Sequence, residues 1–286
     1  MGVNTLGAMT TGQQNTAIGN GALGSSTSGN FNVAIGQDCL TGGDGTPQYN
    51  VAIGQDALNS TGGAAVSEVV AIGREAGTAI NDADANATVA VGAFALGMLT
   101  SGQANTAVGW AAMYNGMDVG DFNTAVGNSS LGLNEGGSSN TGLGHRALNS
   151  NTTGNLNIAV GRRALYSTTT SRGNSAIGSY ALEDANRTAD TDGYNVGLGY
   201  NAGNTGTNDI TTGNKNTLLG ASTAASAAAR RPATPYHHHP RRTRRREQYL
   251  FCEAAGGGGR DDPCDGGREG AGRGPGGRSG GAGTSG

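Results

Sequence analysis

One five-residue motif, N-[TV]-A-[IV]-G, recurs through most of this chain at nearly constant spacing. Its closing glycines fall at Gly19, Gly36, Gly54, Gly73, Gly92, Gly109, Gly127, Gly144, Gly161, Gly178, Gly199 and Gly220, in steps of 17 to 21 residues. After most of them come two variable residues and then a small-plus-apolar pair, as in Ala22-Leu23, Ala57-Leu58, Ala95-Leu96, Ala147-Leu148, Ala164-Leu165 and Ala181-Leu182. Such a period marks a repeat architecture, in which no unit buries its apolar residues alone and each covers the next. The chain therefore divides into a truncated or degenerate first repeat (1–14), twelve tandem units (15–224) and a tail (225–286). Within the first segment, Asn4-Thr5-Leu6-Gly7 reads as a damaged copy of the motif.

Each motif predicts a short strand, because β-branched residues alternate with small ones and a glycine then turns the chain. The positions expected to build the scaffold are Asn15, Ala17, Ile18 and Gly19; Asn32, Ile35 and Gly36; Asn50, Ile53 and Gly54; Asn105 and Gly109; Asn123 and Gly127; Asn157 and Gly161; Asn174 and Gly178. Neighbours on a strand point to opposite faces, so Ala17 and Ile18 diverge, as do Ala159 and Val160. Both faces are then apolar, the pattern of a strand covered on both sides. One face fills the inside of a coil and the other needs a cover. No helical segment supplies it, since the linkers are runs of Gly, Ser, Thr and Asn such as 25–29 and 149–154. Another copy of the chain is the simplest cover, with the alanine face expected to admit the neighbour. The motif asparagines would stack in register and bond side chain to backbone between coils. Twelve coils at a strand spacing of about 4.8 Å extend roughly 55 Å.

Composition agrees with a scaffold whose core is made of small residues. Glycine supplies 54 of 286 residues, aromatics 5 % and all apolar residues 35 %, below the 45–50 % or so of ordinary domains. The net charge of −3 hides two unlike parts, −8 over residues 1–229 and +5 over 230–286. An acidic, sparsely charged repeat region argues against nucleic-acid binding by 1–229. Cys39, Cys252 and Cys264 fit no zinc or redox spacing. Cys39 takes the alanine slot in Cys39-Leu40, which makes it a small buried residue rather than a reactive thiol. No signal segment is evident, and no apolar run approaches the roughly 18 residues of a membrane span.

Units of the form N-T-A-I-G-x-x-A-L and N-V-A-I-G-x-x-A-L resemble the head repeats of trimeric autotransporter adhesins and related repeats of phage tail fibres, over about 15–224. That resemblance implies an all-β fold, a left-handed parallel β-roll solenoid assembled as a homotrimer. It also implies attachment to a surface, with a host glycan or protein as partner, and a location outside the cell, at the cell surface or on a virion. The 17-residue step is longer than is usual for the adhesin heads and leans towards the fibre version. The coiled-coil stalk and anchor strands of a complete adhesin are not present in this sequence.

Catalytic signatures are missing. The repeat region has one histidine, His145, and scattered acids, with no metalloprotease, nucleophile-elbow or phosphate-loop motif. The sequence points to a protein that is not an enzyme and needs no cofactor or metal. Two surface features are candidates for binding. Phe31 and Tyr49, each preceding a motif asparagine on adjacent units, either stack on sugar rings or cover the edge of a coil; Phe122 and Tyr194 hold the same position. His145, Arg146, Arg162 and Arg163 fall just after the glycine on neighbouring units, forming either an acidic-glycan site or a solvated patch. Rival readings are an ice- or crystal-face binder, weakened by the mixture of Thr and Val at the motif's second position, and a solenoid carbohydrate-processing enzyme, weakened by the lack of a carboxylate cluster. The tail is Ala-rich, then Arg-rich around three histidines, then Gly-rich, a composition that predicts disorder. It is also what GC-rich codons give when read out of frame, a reading that resequencing around codon 229 tests.

Overall fold

In the computed structural model, residues 2–42, 46–59, 66–80, 85–116, 120–185, 193–204 and 215–223 are described. The tail expectations, including the arginine and histidine runs and two of the three cysteines, lie outside these residues. The chain separates into a unit Met1–Ala254, which holds every strand of the described residues, and a unit Ala255–Gly286.

The motifs become twelve three-residue strands: β1 (Thr16–Ile18), β2 (Val33–Ile35), β3 (Val51–Ile53), β4 (Val70–Ile72), β5 (Val89–Val91), β6 (Thr106–Val108), β7 (Thr124–Val126), β8 (Thr141–Leu143), β9 (Ile158–Val160), β10 (Ser175–Ile177), β11 (Val196–Leu198) and β12 (Thr217–Leu219). All pair in parallel and in chain order. The register has no slip: Thr16 faces Val33, Ala17 faces Ala34 and Ile18 faces Ile35, and so on along the sheet. This is a β-solenoid in which each repeat forms one rung, numbered by its strand. The described residues contain no α-helix.

The expected orientation of the strands is reversed. Alanine faces inward, with Ala34, Ala52, Ala71, Ala90, Ala107, Ala125, Ala159 and Ala176 fully buried. Outward point the first and third residues, leaving Ile18 51 %, Ile158 44 % and Ile177 46 % exposed. Space inside the coil decides this. A second inward layer, the column of Leu23, Leu40, Leu58, Leu96, Met113, Leu131, Leu148, Leu165 and Leu182, is itself fully buried or nearly so, and leaves room across the rung only for a methyl group. Alanine is thus the residue that fits opposite leucine, and the β-branched residues are left on the outer face.

Between strand and leucine the chain bends at the motif glycine. At Gly161, φ is 132° and an added Cβ would lie 2.5 Å from the Gly178 carbonyl oxygen; at Gly109, φ is 133° and the nearest backbone atoms would be 2.8 Å away. Both the dihedral and the closeness of the next rung exclude a side chain there. Up to three further corners per rung lie in the left-handed region, most of them at non-glycine residues such as Phe31 (φ 58°), Asp38 (50°) and Leu40 (53°). Each such residue costs about 1–2 kcal/mol. Each also turns an N–H towards a neighbouring rung, where it bonds: Phe31 to the Gln13 carbonyl at 3.1 Å, Asp38 to Asn20 at 2.8 Å and Leu40 to Ala57 at 3.0 Å.

Residues 2–14 stack on residues 19–31, and this corrects the reading of 4–7 as a strand motif. Leu6 N–H bonds to the Ala22 carbonyl at 3.0 Å, as Leu23 does to Cys39, and Asn4, Leu6 and Gln14 occupy the three left-handed corners. Thr5-Leu6 therefore fills the Ala-Leu slot.

The asparagine expectation holds. Asn32 gives its backbone N–H and its amide Nδ2 to Asn15 Oδ1, both at 3.0 Å, and a second Nδ2 hydrogen to the Pro47 carbonyl at 2.8 Å. Asn123, Asn140, Asn157, Asn174, Asn195 and Asn216 repeat the bonds to the preceding asparagine. Val69 and Thr88 interrupt the series on rungs 4 and 5, and there Thr88 Oγ1 and Asn105 Nδ2 are buried without a partner. Asn140→Ala removes the acceptor of both Asn157 donors and should cost about 2–3 kcal/mol. Val69→Asn with Thr88→Asn should raise stability by completing the column. Denaturant unfolding followed by circular dichroism reads both shifts, and a destabilised double variant would contradict the assignment.

Candidate functional site

The two residues after each glycine project from the corner beyond the strand face, so substitutions there form columns along the stack. His145 and Arg146 are exposed on rung 8 and Arg162 on rung 9, so the structure brings together the basic residues that the sequence grouped. It does not leave them equivalent. Arg163 is half-buried: its Nε lies 2.7 Å from Glu183 Oε1, and its guanidinium sits 4.4 Å from the centroid of Tyr166. Asn204 Nδ2 donates to the other Glu183 oxygen at 2.7 Å. Burial pushes the Glu183 carboxyl above its ordinary value, outweighing the opposing pull of Arg163. Glu183 thus joins Arg163 and Asn204 across three rungs, and the exposed basic group shrinks to His145, Arg146 and Arg162.

Phe31 and Tyr49 are exposed and stacked face to face, with centroids 4.9 Å apart and planes 5° apart. Rings stacked along the rung axis hide one face of each, which suits cover of the rung edge better than a sugar platform. Phe122 and Tyr194 stand exposed at the same position on rungs 7 and 11.

Cys39 is buried, and its thiol donates to the Ala52 carbonyl at 3.0 Å. Burial pushes it up to about 12; the backbone bond at Ile35 opposes that and nearby Asp56 adds to it. Acids recur at Asp38, Asp56 and Glu75, the second position after glycine on rungs 2 to 4. Gln37 and Gln55 donate to the first two, and Asn59 also to Asp56. Among the described residues no group of three His, Cys, Asp or Glu is placed to hold a metal, and no helix is long and apolar enough to cross a membrane. An open depression of about 530 Å³ on the first rungs is lined by Asn4, Asp38, Thr41 and small residues, with a single carboxylate among them.

Reading unit by unit misses Arg74, Phe94, Trp110, Tyr180 and Tyr200. They stand in the same post-glycine columns, where alignment of the units by their glycines would have exposed them. Arg74 stacks on Phe94 at 4.4 Å, and Phe94 meets Trp110 edge-on at 6.3 Å.

The fold and these surfaces define a parallel β-solenoid with decorated corners and a bare apolar sheet face. No protein-family model, curated protein or solved structure matches the chain.

The folded Cys39 thiol keeps its proton to higher pH than the unfolded one, whose ordinary value is 9.0. Its contribution to stability is therefore whole below about pH 9 and is lost as pH rises towards about 12. Cys39→Ala should remove that part of the alkaline loss, read as unfolding midpoints at about pH 8 and pH 10.5. The native thiol should also resist alkylation until the protein unfolds.

Proposed function

We propose that this chain is a non-enzymatic fibre segment that assembles as a homotrimer, works outside the cell or on a virion, and attaches to a surface glycan or protein through many equivalent weak contacts. The observation that carries the reading is the outer sheet face. Two columns of side chains, the first and third residues of β1 to β12, run its whole length, and nothing in the described residues covers them. The third-residue column is wholly Ile, Val or Leu. A continuous apolar strip of this kind on a parallel sheet belongs to an interface.

Oligomerisation is the direct consequence of that face. The number three, and a left-handed winding, come from the resemblance to the adhesin heads and tail fibres. The first-residue column favours protein burial over an ice lattice, because its hydroxyls at Thr106, Thr124 and Thr141 give way to Val33, Val51, Val70 and Val89. Multivalency then converts weak contacts into firm attachment.

Light scattering on the full chain should return three times the 28.3 kDa chain mass, with a β-rich circular dichroism spectrum. A folded monomer or dimer would sink the trimer. Val108→Lys with Ile177→Lys places charges in the middle of the outer face and should shift the assembly towards single chains while the alanine-leucine core stays intact.

A further inference from the structure

On rungs 4, 5 and 6 the two positions after the glycine read Arg74-Glu75, Ala93-Phe94 and Trp110-Ala111; on rungs 9, 10 and 11 they read Arg162-Arg163, Ser179-Tyr180 and Tyr200-Asn201. The same series therefore occurs twice, an arginine, then a small residue beside an aromatic ring, then a second ring in the arginine's column. Outside these two triplets neither position holds Phe, Tyr or Trp.

The geometry is duplicated with the sequence. Arg74 sits 4.4 Å from the Phe94 centroid and Arg162 5.3 Å from that of Tyr180. Phe94 and Trp110 are 6.3 Å apart with planes at 83°, and Tyr180 and Tyr200 are 6.0 Å apart at 85°. Between arginine and outer ring stands Ala93 or Ser179, too small to cover the ring on the next rung, and Trp110 and Tyr200 remain 54 % and 58 % exposed.

A guanidinium lying against a ring keeps its N–H edge free and loses part of its rotamer freedom in advance. The one ion pair among the described residues is Arg163–Glu183, and Arg74 and Arg162 are both exposed. An exposed aromatic plate beside a fixed fork of donors suits a pyranose ring, whose C–H face stacks while its hydroxyl or carboxylate oxygens accept. The two triplets lie five rungs apart, about 24 Å along the stack at the usual strand spacing. Matched sites at a fixed interval fit a ligand that repeats. Nucleic acid repeats too and also stacks on aromatics, but residues 1–229 carry a net −8 and Glu75 neutralises the first triplet, which disfavours a polyphosphate.

We infer that the two triplets are matched polysaccharide-binding subsites, with Trp110 and Tyr200 as stacking platforms and Arg74 and Arg162 as donors to sugar oxygens. This rests on the adhesive reading and names its ligand class.

The full chain is run in native gels containing hydroxyethylcellulose, xylan, alginate or hyaluronan, with single-stranded DNA as the competing polymer. At least one polysaccharide should retard it and shift the emission of Trp110, the chain's single tryptophan. Trp110→Ala or Tyr200→Ala should weaken retardation about tenfold or more, and both together should abolish it. Arg74→Gln with Arg162→Gln, which keeps the rings, should weaken it as well. Retardation by none of the four, undiminished binding by the double ring variant, or preference for DNA would overturn the inference. Light scattering on the same samples separates the two readings. A trimer that no polymer retards removes the subsites and leaves the fibre, whereas a retarded monomer keeps the subsites and removes the trimer.

Discussion

Where the asparagine column is continuous, as at Asn32, Asn123, Asn140 and Asn157, each side chain does two things at once: it accepts a backbone N–H and an amide hydrogen from the asparagine of the next rung, and gives its own amide to a carbonyl three residues before that asparagine. Buried polar groups are tolerated only when satisfied, and this column satisfies itself only if the rungs are in register. A one-residue slip would orphan a buried amide at each rung and turn the alanine face outward. The asparagines therefore fix the register on which the leucine column, the glycine bends and the surface columns all depend.

The left-handed corners make the same point from the backbone. Up to three residues per rung adopt a conformation that is unfavourable for side-chain-bearing residues. An isolated rung has nothing to offset this, because the bonds made by those N–H groups go to other rungs. Stability is thus a property of neighbouring rungs rather than of single ones, as in other solenoids. Folding is correspondingly cooperative along the stack.

Register, strand placement and the fate of Cys39 were all legible in the sequence, because glycine spacing and the alanine slot carry them directly. The facing of the strand was not. Alternation shows that Ala17 and Ile18 diverge, but which one is inside depends on the width left by Leu23 and Leu40, a tertiary quantity. The corners at Leu40 and Phe31 were hidden for another reason: neither is a residue that marks turns. Asn4-Thr5-Leu6-Gly7 mimics the motif in letters, and only the bond from Leu6 to Ala22 reveals its true place. Of the binding candidates, Arg162 survives as an exposed donor, Arg163 is consumed by Glu183, and the aromatic triplets emerge only when units are compared across rungs.

The gap in the asparagine column at Val69 and Thr88 also has a mechanical meaning. Tension applied along the stack is carried by the junctions in series, so all of them bear the same force. At the junctions around rungs 4 to 6 the asparagine ladder that would resist it is broken, with Thr88 Oγ1 and Asn105 Nδ2 unpaired. A solenoid pulled along its stack would part there first, leaving the long run of continuous ladder from Asn123 to Asn216 intact.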